Sequence, residues 1–182
     1  MNNSRLVKIS KYLSRHLRHT PERIGIQLGS GGWVPVSELL NACQKHNFPI
    51  QLNQLQEVVK QNDKQRFSFD HTGTMIRANQ GHSIEIDLEL EPAIPPDTLY
   101  HGTTTSAVES ILKEGIRKMS RHHVHLSTAI ETARRVGARH GIPAVLIVDT
   151  SAMHRDSYRF YCSNNGVWLV EFVPEKYLVV NS

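Results

Sequence analysis

The 182-residue sequence predicts an α+β protein in two lobes, and three observations carry that prediction. Up to Glu91, stretches with helical spacing of apolar residues lead into two alternating segments around a glycine turn. Around Glu91, the acids Glu85, Asp87, Glu89 and Glu91 alternate with apolar residues and run into Pro92, Pro95 and Pro96, as in an edge strand passing into a linker. Beyond it, short strand-like runs alternate with short helices. The boundary therefore falls near Glu91, with lobes of residues 1–91 and 92–182.

In the first lobe, Ser4 to His19 reads as an amphipathic helix. Leu6, Ile9, Leu13 and Leu17 share one face, and Lys8, Lys11, Arg15 and Arg18 share the other. That basic face is either solvated or a phosphate-binding face. Pro21 stops the helix. Ile24–Leu28 and Trp33–Val36 read as two short strands or extended pieces. Ser37 is expected to cap a helix carrying Leu39, Leu40 and Cys43. Asn53, with Gln56 three residues on, is expected to cap another carrying Leu55, Val58 and Val59. Arg66–Phe69 and Thr74–Ala78 flank Asp70-His71-Thr72-Gly73 as a β-hairpin. Helices followed by a hairpin make a winged-helix arrangement, which often meets nucleic acid but does not fix a function.

The second lobe is organised around Leu99 to Ser127. Leu99-Tyr100 leads into His101-Gly102-Thr103-Thr104, and Arg121 with three histidines leads into Val124-His125-Leu126-Ser127. Between them Ser106 and Glu109 form a capping box, so a helix is expected from Ala107, ended by Gly115. Two neighbouring strands would bring His101, Thr103, His125 and Ser127 together, with Gly102 allowing a ligand close to the backbone. Thr128 and Glu131 form a second capping box, with a helix expected to about His140 and its stop at Gly141. Ala144–Val148 is a buried strand and Ser157–Cys162 is extended. Asn164-Asn165-Gly166 turns into a strand over Val167–Phe172, and Tyr177–Val180 is the last.

The bulk properties narrow the class. The longest apolar run, Ala144 to Val148, is too short to span a bilayer. The N-terminal MNNSRLVKIS has no apolar h-region, so no signal peptide is expected. Cys43 and Cys162 form no C-x-x-C and read as buried thiols of a reduced, cytoplasmic protein. A net charge of +4 favours a polyanionic partner. There is no P-loop, no G-x-G-x-x-G and no G-x-S-x-G. His123-x-His125 is not expected to bind a metal, because alternate strand residues point to opposite faces and no Cys or acid lies nearby. Arg18, Arg66 and Arg121 each lie beside a turn or an element end. They are either scattered surface charge or a converging set for a phosphate, whose oxygens match the guanidinium fork.

Several short motifs, taken in order, resemble the KptA-type RNA 2′-phosphotransferase family over nearly the whole chain. They are Leu13-Ser14 with Leu17-Arg18-His19, Gly32-Trp33-Val34, Lys64-Gln65-Arg66-Phe67, Ile76-Arg77-Ala78, Gln80-Gly81-His82-Ser83, Leu99 to Thr103, Val124 to Ser127, and Asn165 to Leu169. The resemblance implies an N-terminal winged-helix RNA-binding lobe and a C-terminal ADP-ribosyltransferase-like lobe that binds NAD as co-substrate, in a monomer without a metal. It implies removal of an internal 2′-phosphate from RNA, as left at a tRNA splice junction. That phosphate attacks C1″ of the nicotinamide ribose as nicotinamide leaves, and the 2″-hydroxyl then attacks phosphorus, freeing RNA 2′-OH and ADP-ribose 1″,2″-cyclic phosphate. The family's catalytic set falls on Arg18, His19, Arg66 and Arg121. The arginines hold the phosphate and stabilise charge on phosphorus, and His19 is a phosphate ligand or proton donor, since imidazole titrates near neutrality.

The NAD-binding residues fall on His101, Gly102 and Thr103, with His125 and Ser127 in the second strand motif. His101 would bond a ribose, and Gly102 would offer backbone to the nicotinamide amide. Ser127 and Thr128 precede a helix whose free N–H groups suit an anion. The third motif, Asn165 to Trp168, carries no acid, in keeping with a phosphate nucleophile that needs no deprotonation. Two other readings remain at this point: ADP-ribosylation of a terminal phosphate on RNA or DNA, and a non-catalytic winged-helix nucleic-acid-binding protein.

Overall fold

A computed structural model describes residues 3–61 and 65–181. Lys64, part of one family motif, lies outside the described residues. The protein is α+β, with four small sheets among the described residues, and it divides into two compact units, Met1–Glu89 and Leu90–Ser182.

In the first unit, α1 (Asn3–Arg18) buries Ile9, Leu13, His16 and Leu17 on one stripe. That stripe has the period of a helix packed on one side. Strand β1 (Val34–Pro35) leads into α2 (Val36–Lys45), and α3 (Leu52–Gln61) precedes the hairpin of β2 (Phe67–Phe69) and β3 (Met75–Ala78). β3 lies between β1 and β2, antiparallel to both. Asp70 closes the hairpin: its carboxylate accepts from the Thr72 hydroxyl and the Met75 N–H. These bonds hold its pKa down at about 2. Leu13, Leu39, Leu55, Phe67 and Ile76 meet in one apolar core with Cys43.

Several sequence expectations are corrected here. Ser37 and Asn53 sit inside their helices rather than capping them, because α2 opens at Val36, directly after Pro35, and α3 at Leu52. The stretch Ile24–Leu28 is not a strand. Pro21–Ile24 is a 3-10 turn closed by Gly25 in the left-handed region. Residues 85–91 form no edge strand. The Asp87 carbonyl instead accepts from Gly31 N–H, and Glu89 takes the Ser30 hydroxyl.

The second unit runs β4 (Thr98–Thr104), α4 (Thr105–Glu114), β5 (Ile116–Arg117), β6 (Val124–Leu126), α5 (Ile130–Gly137), β7 (Pro143–Asp149), α6 (Thr150–Arg155), β8 (Phe160–Cys162), β9 (Trp168–Val170), β10 (Phe172–Val173) and β11 (Leu178–Val180). One sheet has the order β11-β7-β4 and a second has β6-β9-β8. Leu99, Leu126, Leu146, Met153, Phe160 and Val170 share the core. Cys162 is half-buried rather than buried. Neither capping box forms. α4 starts at Thr105 and Glu109 turns to Lys113 at 2.7 Å, while α5 starts at Ile130 behind Ala129. Helix α6 was not expected, although Asp149 caps it by accepting from Ala152 N–H at 2.8 Å.

α5 ends at Gly137, short of His140, and its backbone lies directly on β4. A Cβ on Gly102 would stand 1.8 Å from the Ala133 carbonyl oxygen, and one on Gly137 would stand 2.2 Å from the Thr103 carbonyl oxygen. Gly102 is therefore required by helix–strand contact on one of its faces, a reason the sequence did not supply. Gly137→Ala tests this contact. Alanine favours a helix interior by about 1 kcal/mol, whereas forcing a methyl into a packed backbone contact costs about 1–3 kcal/mol. The clash should win. Chemical denaturation should show a net loss of stability for Gly137→Ala and a larger one for Gly102→Ala; a stabilised Gly137→Ala would refute the contact.

Candidate active site

The residues singled out from the sequence fall into two groups, one in each unit. In the first unit, Arg18 ends α1 and His19 follows it, while Arg66 stands just before β2. They are brought together by the backbone. The Arg18 guanidinium donates to the Arg66 carbonyl at 3.4 Å and lies over the Phe67 ring, 5.9 Å from its centroid. Arg18, His19 and Arg66 line one open cleft of about 660 Å³ along α1, with Lys11, Ser14 and Arg15. Two separated stretches of sequence thus put cationic donors on one concavity, which is what a phosphate dianion requires.

Two residues without a role in the sequence reading hold this group in place. Asn79, 3% exposed, donates its backbone N–H to the Arg66 carbonyl at 2.9 Å and its side-chain amide to the Gln65 carbonyl at 2.6 Å. Ser83 donates its N–H to the Arg18 carbonyl at 3.0 Å, and its hydroxyl meets His19 Nδ1 at 2.8 Å. The stretch 79–83 thus fixes both the arginine backbone and the imidazole ring. Sequence offered one signal for it, the Gln80-Gly81-His82-Ser83 motif, without its mechanism. Trp33 is half-buried, with the Arg77 guanidinium 4.6 Å from its ring centroid.

In the second unit, β4 and β6 belong to different sheets and meet at one bridge, Tyr100 to Ser127. Each of these residues donates its N–H to the other's carbonyl at 2.8 Å. Among the described residues no further backbone bond joins the two strands, so they part towards Gly102. His101 occupies the parting, with Nδ1 3.1 Å from the His125 carbonyl. A carbonyl oxygen only accepts, so Nδ1 carries the proton and a neutral His101 presents the Nε2 lone pair. Packing around the ring pushes the His101 pKa below the ordinary imidazole value, and the Arg121 charge adds to this against the opposing effect of the His125 carbonyl. Hydrogen-bond direction alternates along an antiparallel strand, so the Gly102 N–H and C=O point to the same edge as those of Tyr100, into the parting.

Arg121 donates to His125 Nδ1 at 3.2 Å. A guanidinium cannot accept, so this nitrogen is unprotonated and the His125 proton sits on Nε2. Arg121, His125 and His101 are thereby linked in sequence. Thr103 lies two residues along β4, and Ser127 holds the bridge. Ser127 and Thr128 precede α5, which opens at Ile130 behind Ala129. His123 meets Tyr161 edge-on, with ring centroids 5.6 Å apart. Burial, and then the neighbouring His122 and Lys118, lower its pKa. Glu171 is exposed and pairs with Lys118 at 3.1 Å. Among the described residues no group of three or more His, Cys, Asp or Glu could hold a metal ion. No described helix is long and apolar enough to cross a membrane.

Comparison with known proteins adds an independent line. The family described as RNA 2′-phosphotransferase, Tpt1/KptA, matches residues 4–172. A protein of Nostoc punctiforme named probable RNA 2′-phosphotransferase is 63% identical over 178 residues, covering 98% of both chains. A protein of the same name from Streptomyces coelicolor is 54% identical over 178 residues, covering 98% of this chain and 97% of its own. One from Flavobacterium johnsoniae is 48% identical over 182 residues, the whole of both chains. The match takes in both groups of site residues, and the relatives align end to end, so the chain belongs to the Tpt1/KptA family of RNA 2′-phosphotransferases.

Proposed function

We propose that the protein transfers the internal 2′-phosphate of RNA to NAD, giving RNA 2′-OH, nicotinamide and ADP-ribose 1″,2″-cyclic phosphate through an ADP-ribosylated RNA 2′-phosphate. On this reading the first unit is the winged-helix RNA-binding lobe and the second the ADP-ribosyltransferase-like lobe that binds NAD, in a cytoplasmic monomer. The RNA is of the kind left at a spliced tRNA junction. The observation that carries the reading is the family match over both units. The local geometry supports it in each.

NAD supplies an electrophilic ribose carbon with nicotinamide as leaving group. The residues of the β4–β6 parting suit such a molecule. His101 Nε2 is an acceptor for a ribose hydroxyl, and the Gly102 backbone offers one donor and one acceptor to a carboxamide. Thr103, His125 and Ser127 complete the set. Arg121 fixes the His125 tautomer, and the His125 carbonyl fixes that of His101. Arg18, His19 and Arg66 take the RNA phosphate, and with Arg121 they make up the catalytic set. A fixed guanidinium stabilises the charge that builds on phosphorus, a contribution worth about a hundred-fold or more in rate. The nucleophile is already an anion, so no carboxylate base is needed in the Asn165 to Trp168 turn.

The test is a short RNA carrying one internal 2′-phosphate, incubated with and without NAD. NAD-dependent conversion to a 2′-hydroxyl with release of the cyclic product is the expected result. An accumulating ADP-ribosylated phosphate would instead favour a transferase that stops after the first step. Binding without any reaction would leave only a nucleic-acid-binding protein. Arg66→Ala should lower turnover about a hundred-fold or more while thermal unfolding stays close to that of the parent; near-normal turnover would remove Arg66 from the set.

The state of His101 gives a pH prediction. In the unfolded chain the ring takes up a proton below about pH 6.5, while in the fold its pKa is lowered. The unfolded state therefore binds more protons in the window beneath about pH 6.5, and stability falls as pH falls through it. His101→Gln should flatten part of that slope in urea titrations at pH 5 to 7. The affinity for NAD should stay level from pH 8 down past about pH 6.5, and a loss centred at or above that value would contradict a neutral His101.

A further inference from the structure

We propose that the RNA strand flanking the 2′-phosphate lies along α1, with its backbone phosphates on Arg15 and Lys11. This rests on the reading that RNA is the substrate, and it extends the site beyond the reacting phosphate. The cleft holding Arg18, His19 and Arg66 continues along α1 as far as Asn3. Fifteen residues of helix span about 22 Å, far more than one phosphate occupies. Along it stand Arg15, about 4.5 Å of helix rise from Arg18, and Lys11, about 10.5 Å from it. Ser14 lies between them and Ser10 just beyond Lys11 on the lining, which turns apolar further along at Leu6 and Val7. A cationic track with hydroxyl donors and an apolar end suits the alternation of phosphate, sugar and base in a single strand.

The charges themselves argue against an ordinary solvated face. α1 contains no Asp or Glu, and no described acidic residue lines the cleft. In the second unit Lys113, Arg117, Lys118, Arg134 and Lys176 each sit by a carboxylate. Among the described residues no such pair involves Lys11 or Arg15. The helix dipole accounts for basic residues in the last turn of α1, but Lys11 lies two turns back from Arg18. Its positive charge lines a groove on which no described carboxylate stands, a condition suited to an external polyanion.

The experiment uses the full chain and measures RNA binding by fluorescence anisotropy without NAD. The probes are a long single strand with one internal 2′-phosphate and the 2′-phosphorylated dinucleotide. Lys11→Ala/Arg15→Ala should weaken binding of the long strand about ten-fold and make its salt dependence shallower by about 0.7 for each phosphate no longer neutralised. The dinucleotide should lose several-fold less. Lys8→Ala/Lys45→Ala removes the same net charge from exposed positions outside the cleft and controls for a general charge effect. An equal loss in that control, an equal loss for both probes, or no loss in the cleft variant would each overturn the proposal. So would a parent protein that binds neither probe. Turnover is read separately. A parent that binds the long strand through Lys11 and Arg15 yet releases no 2′-hydroxyl would defeat the proposed reaction and leave the groove standing. Normal turnover with unchanged binding in the cleft variant would do the reverse.

Discussion

The second unit is arranged around one contact, the carbonyl of Ala133 pressed onto the backbone of Gly102. No side chain can occupy that side of position 102, so the residue between His101 and Thr103 has to be glycine. The contact brings α5 down across β4 while β7 holds the strand's far edge. On its near edge β4 keeps only the Tyr100–Ser127 bridge with β6. That leaves the His101 ring to take the His125 carbonyl that a paired strand would have used. A packing constraint on one face of β4 thus leaves backbone donors and an imidazole acceptor at the strand's open edge.

A different device serves the first unit. Arginine side chains are long, and their entropy must be restrained if they are to meet a phosphate in a fixed pose. The restraint begins at the backbone. Asn79 bonds the carbonyls of both Gln65 and Arg66, and Ser83 bonds the Arg18 carbonyl and the His19 ring. Asn79 directly follows β3, so the hairpin that packs Phe67 and Ile76 into the core also sets the position of Arg66. Core packing and site geometry share the same few residues there.

Sequence reading found the elements whose signal is local periodicity. The apolar stripe of α1, the hairpin around Gly73, and the strands β4, β6 and β7 all carry their pattern in consecutive residues. It failed where a terminus is set by packing. Both capping boxes, Ser106 with Glu109 and Thr128 with Glu131, have the right spacing, yet the helices start elsewhere. A capping bond contributes about 1 kcal/mol, less than the close contact of α5 with β4 can override. Gly102 was legible as a special glycine, but its reason lay 31 positions away at Ala133. Asn79 had no signal at all, because a side chain that bonds two distant carbonyls leaves no local pattern. The site residues themselves came from family motifs, and the structure adds which of them are held by which bonds.

The two groups of site residues differ in charge for a chemical reason. On the proposed reading the phosphate attacks a carbon that becomes cationic as nicotinamide departs. An imidazolium beside that carbon would oppose the charge. His101 is kept neutral by its packing and by the nearby Arg121, and its bond to the His125 carbonyl turns the lone pair outward. The phosphate, by contrast, gains by meeting as much fixed positive charge as possible, and the cleft along α1 supplies it without a described carboxylate in competition. A neutral acceptor for the sugar and a set of cations for the phosphate are the two environments such a transfer needs. The fold produces each by its own means: partial burial of an imidazole in one unit, and an acid-free helix face in the other.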